Sequence, residues 1–249
     1  MSTLKKISLF LSLLLLFSCD EFPLSDSEIA AGLKSALEVG SNYALKTLGK
    51  EDGFLLDQTV KILLPNDVAK LISTVKNNPI LASTLGDVAK QIEEQLILTI
   101  NRAAEAAIDG VIPIVIDAIT DMTIQDARSI LFSSNEIAAT DYLRVKTYDP
   151  LSNVCLSVIE DALNKEIVFN ISAQGVWGKL TGFYNDAAAI AAFIPGLHLA
   201  PIETDLSLYT TQKALDGVFL KVGNEEVKIR TDVSARINDL LRRVFGQLD

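Results

Sequence analysis

The stretch from Gly86 to Asp121 constrains the fold most. Ile92, Leu96, Ile97, Ile100, Ala103, Ala104, Ala107, Ile108 and Val111 return every three to four residues. That period puts them on one face of a helix. Glu94, Gln95, Leu98, Thr99, Arg102, Glu105 and Asp109 fall together on another, mostly polar face. The run of Ala lets a neighbouring helix come close. Gly110 and Pro113 are expected to kink or split this helix, because Pro lacks a backbone donor and crowds the preceding turn.

The flanking sequence reads as further helices. Ser25-x-x-Glu28 is a capping box before Ile29, Leu33, Leu37, Ala44 and Leu48, and Gly49 is a natural stop. Asp52-Gly53 marks a turn. Val60, Ile62 and Leu64 alternate as in a short extended piece ending at Pro65. Asn66 starts a helix that Pro79 is expected to close. Thr123-x-x-Asp126 and Ser133-x-x-Glu136 each signal a helix start, and Asp149-Pro150 signals another, running to about Lys165. From Glu166 to Thr204, Gly and Pro recur, Val168, Phe169 and Ile171 look extended, and the least regular segment is expected. A continuous or kinked helix through Leu208–Val222 and a last one around Leu240–Phe245 complete the chain. The expected architecture is all-α: one bundle-like domain over 26–249, irregular near 166–204.

The N-terminus reads as an address. Lys5 and Lys6 precede an apolar run, Ile7 to Phe17, of signal-peptide length. Ser18-Cys19 follows it and resembles a bacterial lipobox. Residues 1–18 are then a lipoprotein signal peptide, Cys19 the acylated residue, and 19–25 a lipidated tether. Several acyl chains on Cys19 would give stable anchoring. The expected location is the cell envelope: the periplasmic side of the inner or outer membrane, or the cell surface. The formal net charge of −10 opposes nucleic-acid binding, which needs a basic face. Removing Lys5 and Lys6 leaves 20 basic and 32 acidic side chains, a net of −12.

Asp52-Gly53-Phe54-Leu55, Asn101-Arg102-Ala103-Ala104-Glu105 and Met122-Thr123-x-x-Asp126-Ala127 together carry a resemblance. So do Ala138-Ala139-Thr140-x-Tyr142-Leu143-Arg144, Lys213 to Phe219, Glu226-x-Lys228-Ile229-Arg230, and Ala235-Arg236-x-x-Asp239 with the residues after it. In this order they resemble DUF4197, a bacterial family of unknown function, over nearly all of residues 30–246. The resemblance implies an exported helical protein, often a lipoprotein. It implies no activity, substrate or cofactor.

Catalytic signatures are absent from the sequence. His198 is the only His and sits between two Leu in a Pro- and Gly-bounded loop. A Ser-His-Asp arrangement needs a His held beside a nucleophile, and a zinc site draws on His and Cys at close spacing. Cys155 lies in an apolar stretch and reads as a buried small hydrophobe. Asp117 and Asp121, four apart, suit a solvated helix face better than a cation site. No catalytic residue, metal or cofactor is therefore assigned, and the chain reads as a non-enzyme.

The candidate polar cluster is Arg102, Glu105, Asp126, Arg144, Lys213, Asp216, Arg230 and Arg236, all set in otherwise apolar helices. Interhelical ion pairing that fixes register is the favoured role, and a pocket for an anionic headgroup is the alternative. Three functions stay open. One is a non-enzymatic envelope lipoprotein binding an apolar or amphipathic ligand or a protein partner. The second is a structural or interaction subunit of an envelope assembly. The third, least favoured, is a carboxylate/Arg enzyme.

Overall fold

The computed structural model describes residues 24–193, 199–203 and 205–249. The expected signal peptide over 1–18, Cys19 and His198 lie outside them. Ser25 caps α1 (Asp26–Leu48), and Glu28 returns the bond to the Ser25 N–H, so the capping box forms as its spacing predicts. Gly49 ends the helix. Next come a loop, an extended piece, α2 (Asn66–Asn77) and α3 (Pro79–Thr120). The helix from Asn66 ends at Asn77, with Asn78 extended ahead of Pro79 as expected, and Pro79 also opens the next helix. The Asn78 side chain accepts from the Ile80 and Leu81 N–H groups, and Pro fills the first helical position, where no donor is needed.

α3 is one unbroken helix of 42 residues, about 63 Å long. The expected split at Gly110 and Pro113 does not occur. Pro113 faces solvent, as does Asp109, whose carbonyl loses its helical partner, so that carbonyl is not forced into an apolar interior without a hydrogen bond. Gly110 is where α3 meets a neighbour. A Cβ there would come within 2.5 Å of Val154 Cγ1 on the next long helix.

A second capping box, Thr123 with Asp126, starts α4 (Ile124–Leu131). α5 (Ala138–Leu163) is again one helix, although two starts were expected. Pro150 lies within it on the solvent side, and Ser133-x-x-Glu136 does not cap it. The segment 166–204 is more regular than its Gly content suggested. β1 (Glu166–Val168) and β2 (Ile171–Ser172) form an antiparallel hairpin. Its two turn residues, Phe169 and Asn170, both have positive φ, the signature of a tight type I′ turn. Ser172 then caps α6 (Ala173–Ala191) through the Gly175 N–H. α7 (Leu206–Thr231) runs straight through Gly223-Asn224, and α8 (Asp239–Phe245) ends the chain with a short 3-10 turn.

α1, α3, α5 and α7 form a four-helix ring in which each packs on the next and α7 closes back on α1. One cluster of buried side chains runs through it, from Ile29 on α1 to Phe245 on α8. α4 and α8 pack on α1, α2 covers the first half of α3, and α6 leans on α7. The fold is all-α, as expected. No described helix is long and apolar enough to cross a membrane.

Candidate functional site

The structure divides the predicted polar cluster into separate sites, and three of its eight members, Asp126, Arg230 and Arg236, bind helix ends. Glu226 and Arg230, one turn apart on α7, form a buried pair at 3.0 Å. The residue before α5 is Ile137, which has no side-chain acceptor. Glu226 takes that role from across the bundle. It accepts from the Ala139 N–H at 3.0 Å, the Thr140 N–H at 2.8 Å and the Thr140 hydroxyl at 2.8 Å. Arg230 donates to the Ile130 and Leu131 carbonyls at 2.9 and 3.0 Å, the last turn of α4. An anion thus meets a helix start and a cation a helix end, the arrangement the peptide dipoles favour. Arg236, also buried, closes the end of α7 through the Ile229 and Arg230 carbonyls at 3.1 and 2.9 Å. Its remaining donors hold the Asp249 carboxylate at 2.7 and 2.8 Å and keep that carboxyl below its ordinary range.

Arg102 and Glu105 staple the loop after α1 onto α3. Arg102 bonds Glu105 and Asp52 at 2.6 Å each, and Asp52 sits at φ 67°, a strained conformation for a non-Gly residue. Buried Glu105 accepts from the Phe54 and Leu55 N–H groups at 3.0 and 3.2 Å. One turn earlier Asn101, fully buried, does the work of a partner strand. Its side chain accepts from the Ile62 N–H at 2.9 Å and donates to the Ile62 carbonyl at 2.8 Å.

Asp126, in the first turn of α4, completes the capping box with Thr123, whose hydroxyl and N–H hold its carboxyl below the ordinary value. It borders a shallow recess of about 380 Å³ with Tyr142 and Lys146. Asp117 and Asp121 are exposed, and no group of three or more metal-ligating side chains forms among the described residues. Burial pushes the Cys155 thiol up to about 11, which makes it a poor nucleophile.

Arg144, Lys213 and Asp216 lie together at a second open surface. Asp216 is 3.6 Å from Arg144 and 3.8 Å from Lys213, and Arg144 lies over the Phe219 ring at 4.7 Å. Lys213 and Asp216 line a groove of about 530 Å³ between α7 and residues 59–66. Val60, Ile62 and Leu64 are buried, while Lys61 and Leu63 turn outward, so the alternation read from the sequence is real. The segment is fixed at several points. Lys221 holds Asp57 at 2.5 Å and, with the Thr59 hydroxyl, draws that carboxyl down to about 2. The Tyr209 hydroxyl donates to the Leu63 carbonyl at 2.7 Å. At Gly217, α7 comes so near that a Cβ would lie 2.9 Å from Phe54 and 3.3 Å from Val60.

The sequence paired Arg102 with Glu105 by spacing, whereas Arg144, Lys213 and Asp216 stood there only as members of the larger set. It did not single out Asn101, Asp52 or Glu226 as functional. The spacing of Glu226 four residues before Arg230 was a visible signal. Nothing local marks Asn101 as the partner of Ile62.

The family model for a protein of unknown function, DUF4197, matches residues 23–246, and the chain belongs to that family. No curated protein and no solved structure matches it.

Proposed function

We propose that this DUF4197 member is a non-enzymatic lipoprotein of the cell envelope, held by acyl chains on Cys19, that receives a protein partner. The α7 groove carries this reading. There Lys213 and Asp216 of the predicted cluster meet open space, and exposed Leu63 and Leu220 flank it. Arg102, Arg230 and Arg236 supply no shared headgroup pocket, because each is committed to a helix end or a loop. The space around Glu226 between α1, α7 and α8 is about 10 Å³, no more than one water fills. A lipid-like ligand therefore has less support than a protein.

A photo-crosslinking side chain at position 63 of the full chain in its native envelope tests the reading. The expected product is a discrete protein adduct, missing when the same group stands at Val145, on an open face of α5. Lipid adducts, or identical products from both positions, would overturn it. The anchor is tested separately: Cys19→Ala is expected to leave the membrane fraction, and a variant that stays there refutes acylation.

A second reading draws on α3. None of residues 79–95 is buried, and Ile80, Leu81 and Leu85 are exposed near the start of the helix, beyond what α2 covers. Such a face suits a structural subunit that completes its packing within an assembly.

A further inference from the structure

We infer that the α7 groove takes an extended, acidic peptide segment of a partner protein, which adds as a parallel strand along residues 61–63. The inference rests on the reading of the groove as an interaction surface. In an extended chain the N–H and C=O of one residue point to one edge, and those of the next residue to the other. Ile62 gives both its groups to Asn101, on the α3 side. The groups of Lys61 and Leu63 therefore face the opposite edge, toward α7, where the Tyr209 hydroxyl reaches Leu63. Of these four, the Lys61 N–H bonds the Asp57 carbonyl at 2.8 Å and the Leu63 carbonyl accepts from Tyr209. The Lys61 carbonyl and the Leu63 N–H have no hydrogen-bond partner among the described residues.

That leftover pair sets the direction. In an antiparallel pairing one residue exchanges its own N–H and C=O with its opposite number. In a parallel pairing a visiting residue bonds the carbonyl before and the N–H after its opposite number. The unpaired acceptor on 61 and donor on 63 flank Ile62 and match the parallel pattern. This is strand addition, in which the main chain supplies affinity and the side chains choose the partner.

Charge selects the sequence. Lys213 and Arg144 share the single carboxylate of Asp216, and Lys61 makes no ion pair among the described residues. The groove is thus lined by two cations, Lys61 and Lys213, and one anion, Asp216, whose charge Arg144 also draws on from beside the groove, in a chain whose formal net charge is −10. Outward Leu63 and Leu220 offer apolar contact to alternate side chains. The α7 wall from Tyr209 to Leu220 is about 16 Å long, enough for about five extended residues.

The test uses the full chain in detergent micelles and a fluorescein-labelled eight-residue peptide of alternating Glu and Val. Anisotropy is expected to show saturable binding, with slowed amide exchange confined to peptides containing residues 60–64. A Lys/Val peptide, and the Glu/Val peptide N-methylated along its backbone, are each expected to bind at least tenfold more weakly. Lys213→Glu is expected to weaken the Glu/Val peptide at least tenfold while far-UV circular dichroism and Tm stay unchanged. Equal binding of the N-methylated peptide overturns strand addition, and equal binding of the Lys/Val peptide overturns the charge selection. No saturable binding overturns the inference even if position 63 crosslinks a protein. Failure of that crosslink overturns the broader reading instead.

Discussion

The two halves of α7 use the same residue types for opposite ends. In the C-terminal half, Glu226 and Arg230 are buried and their polar atoms are bonded to the ends of α4 and α5. In the N-terminal half, Lys213 and Asp216 lie about half exposed beside a groove, with ion-pair distances near the limit of contact. Charge in a helix thus says little by itself. What separates architecture from a candidate interface is whether each polar atom has a partner inside the molecule.

The contrast is broken most directly at Arg230. Arg230→Met leaves Glu226 buried without its cation and the last carbonyls of α4 without a donor. A loss of about 3–5 kcal/mol in urea unfolding is expected. A loss below about 1 kcal/mol would place this pair with the surface ones. Glu105→Gln should cost about 2 kcal/mol, since it replaces a charged acceptor of two loop N–H groups. Faster amide exchange at Phe54 and Leu55 is the local readout.

Smaller effects sharpen the comparison. Lys221→Met should cost no more than about 1 kcal/mol at neutral pH, as for a partly exposed ion pair. Asp57 has its carboxyl lowered from 3.8 to about 2 in the fold, so its contribution is complete above about pH 4 and disappears as pH falls toward 2. The variant's Tm should therefore fall less steeply than the parent's over that window, and an unchanged acid limb would remove the Lys221 contact from the account. Lys213→Ala should change stability by less than about 0.5 kcal/mol. A larger loss would show that the open half of α7 is structural too.

What was legible in the sequence was local. The Ser25 and Thr123 capping boxes depend on residues three apart, and both form. The extended piece at 60–64 was visible because burial alternates with period two. The misreadings share one cause, which is that tertiary partners decide. Pro113 and Pro150 do not break their helices because both face water, and sequence carries no record of that. The start of α5 was assigned to Ser133 and Glu136, yet its donors are met by Glu226, more than 80 residues away. α6 looked irregular because Gly175, Gly178 and Gly182 weaken a helix. Burial of Trp177, whose indole N–H donates to the Glu203 carbonyl and whose ring stacks on Tyr209, offsets that. Of the candidate site, Arg144, Lys213 and Asp216 were legible, but Lys61 and the unpaired edge join them only through folding.

The points that hold residues 57–63 also bear on the thermodynamics of any encounter there. Lys221, Asn101 and Tyr209 fix the segment, and Gly217 lets α7 press against Phe54 and Val60 behind it. The receptor edge is already in its bound shape, so the conformational entropy lost on association falls almost wholly on the visitor. Tightening the visitor, by cyclising it or seeding it with β-branched residues, should then raise affinity nearly one for one with the freedom removed. Stiffening the host should raise it hardly at all.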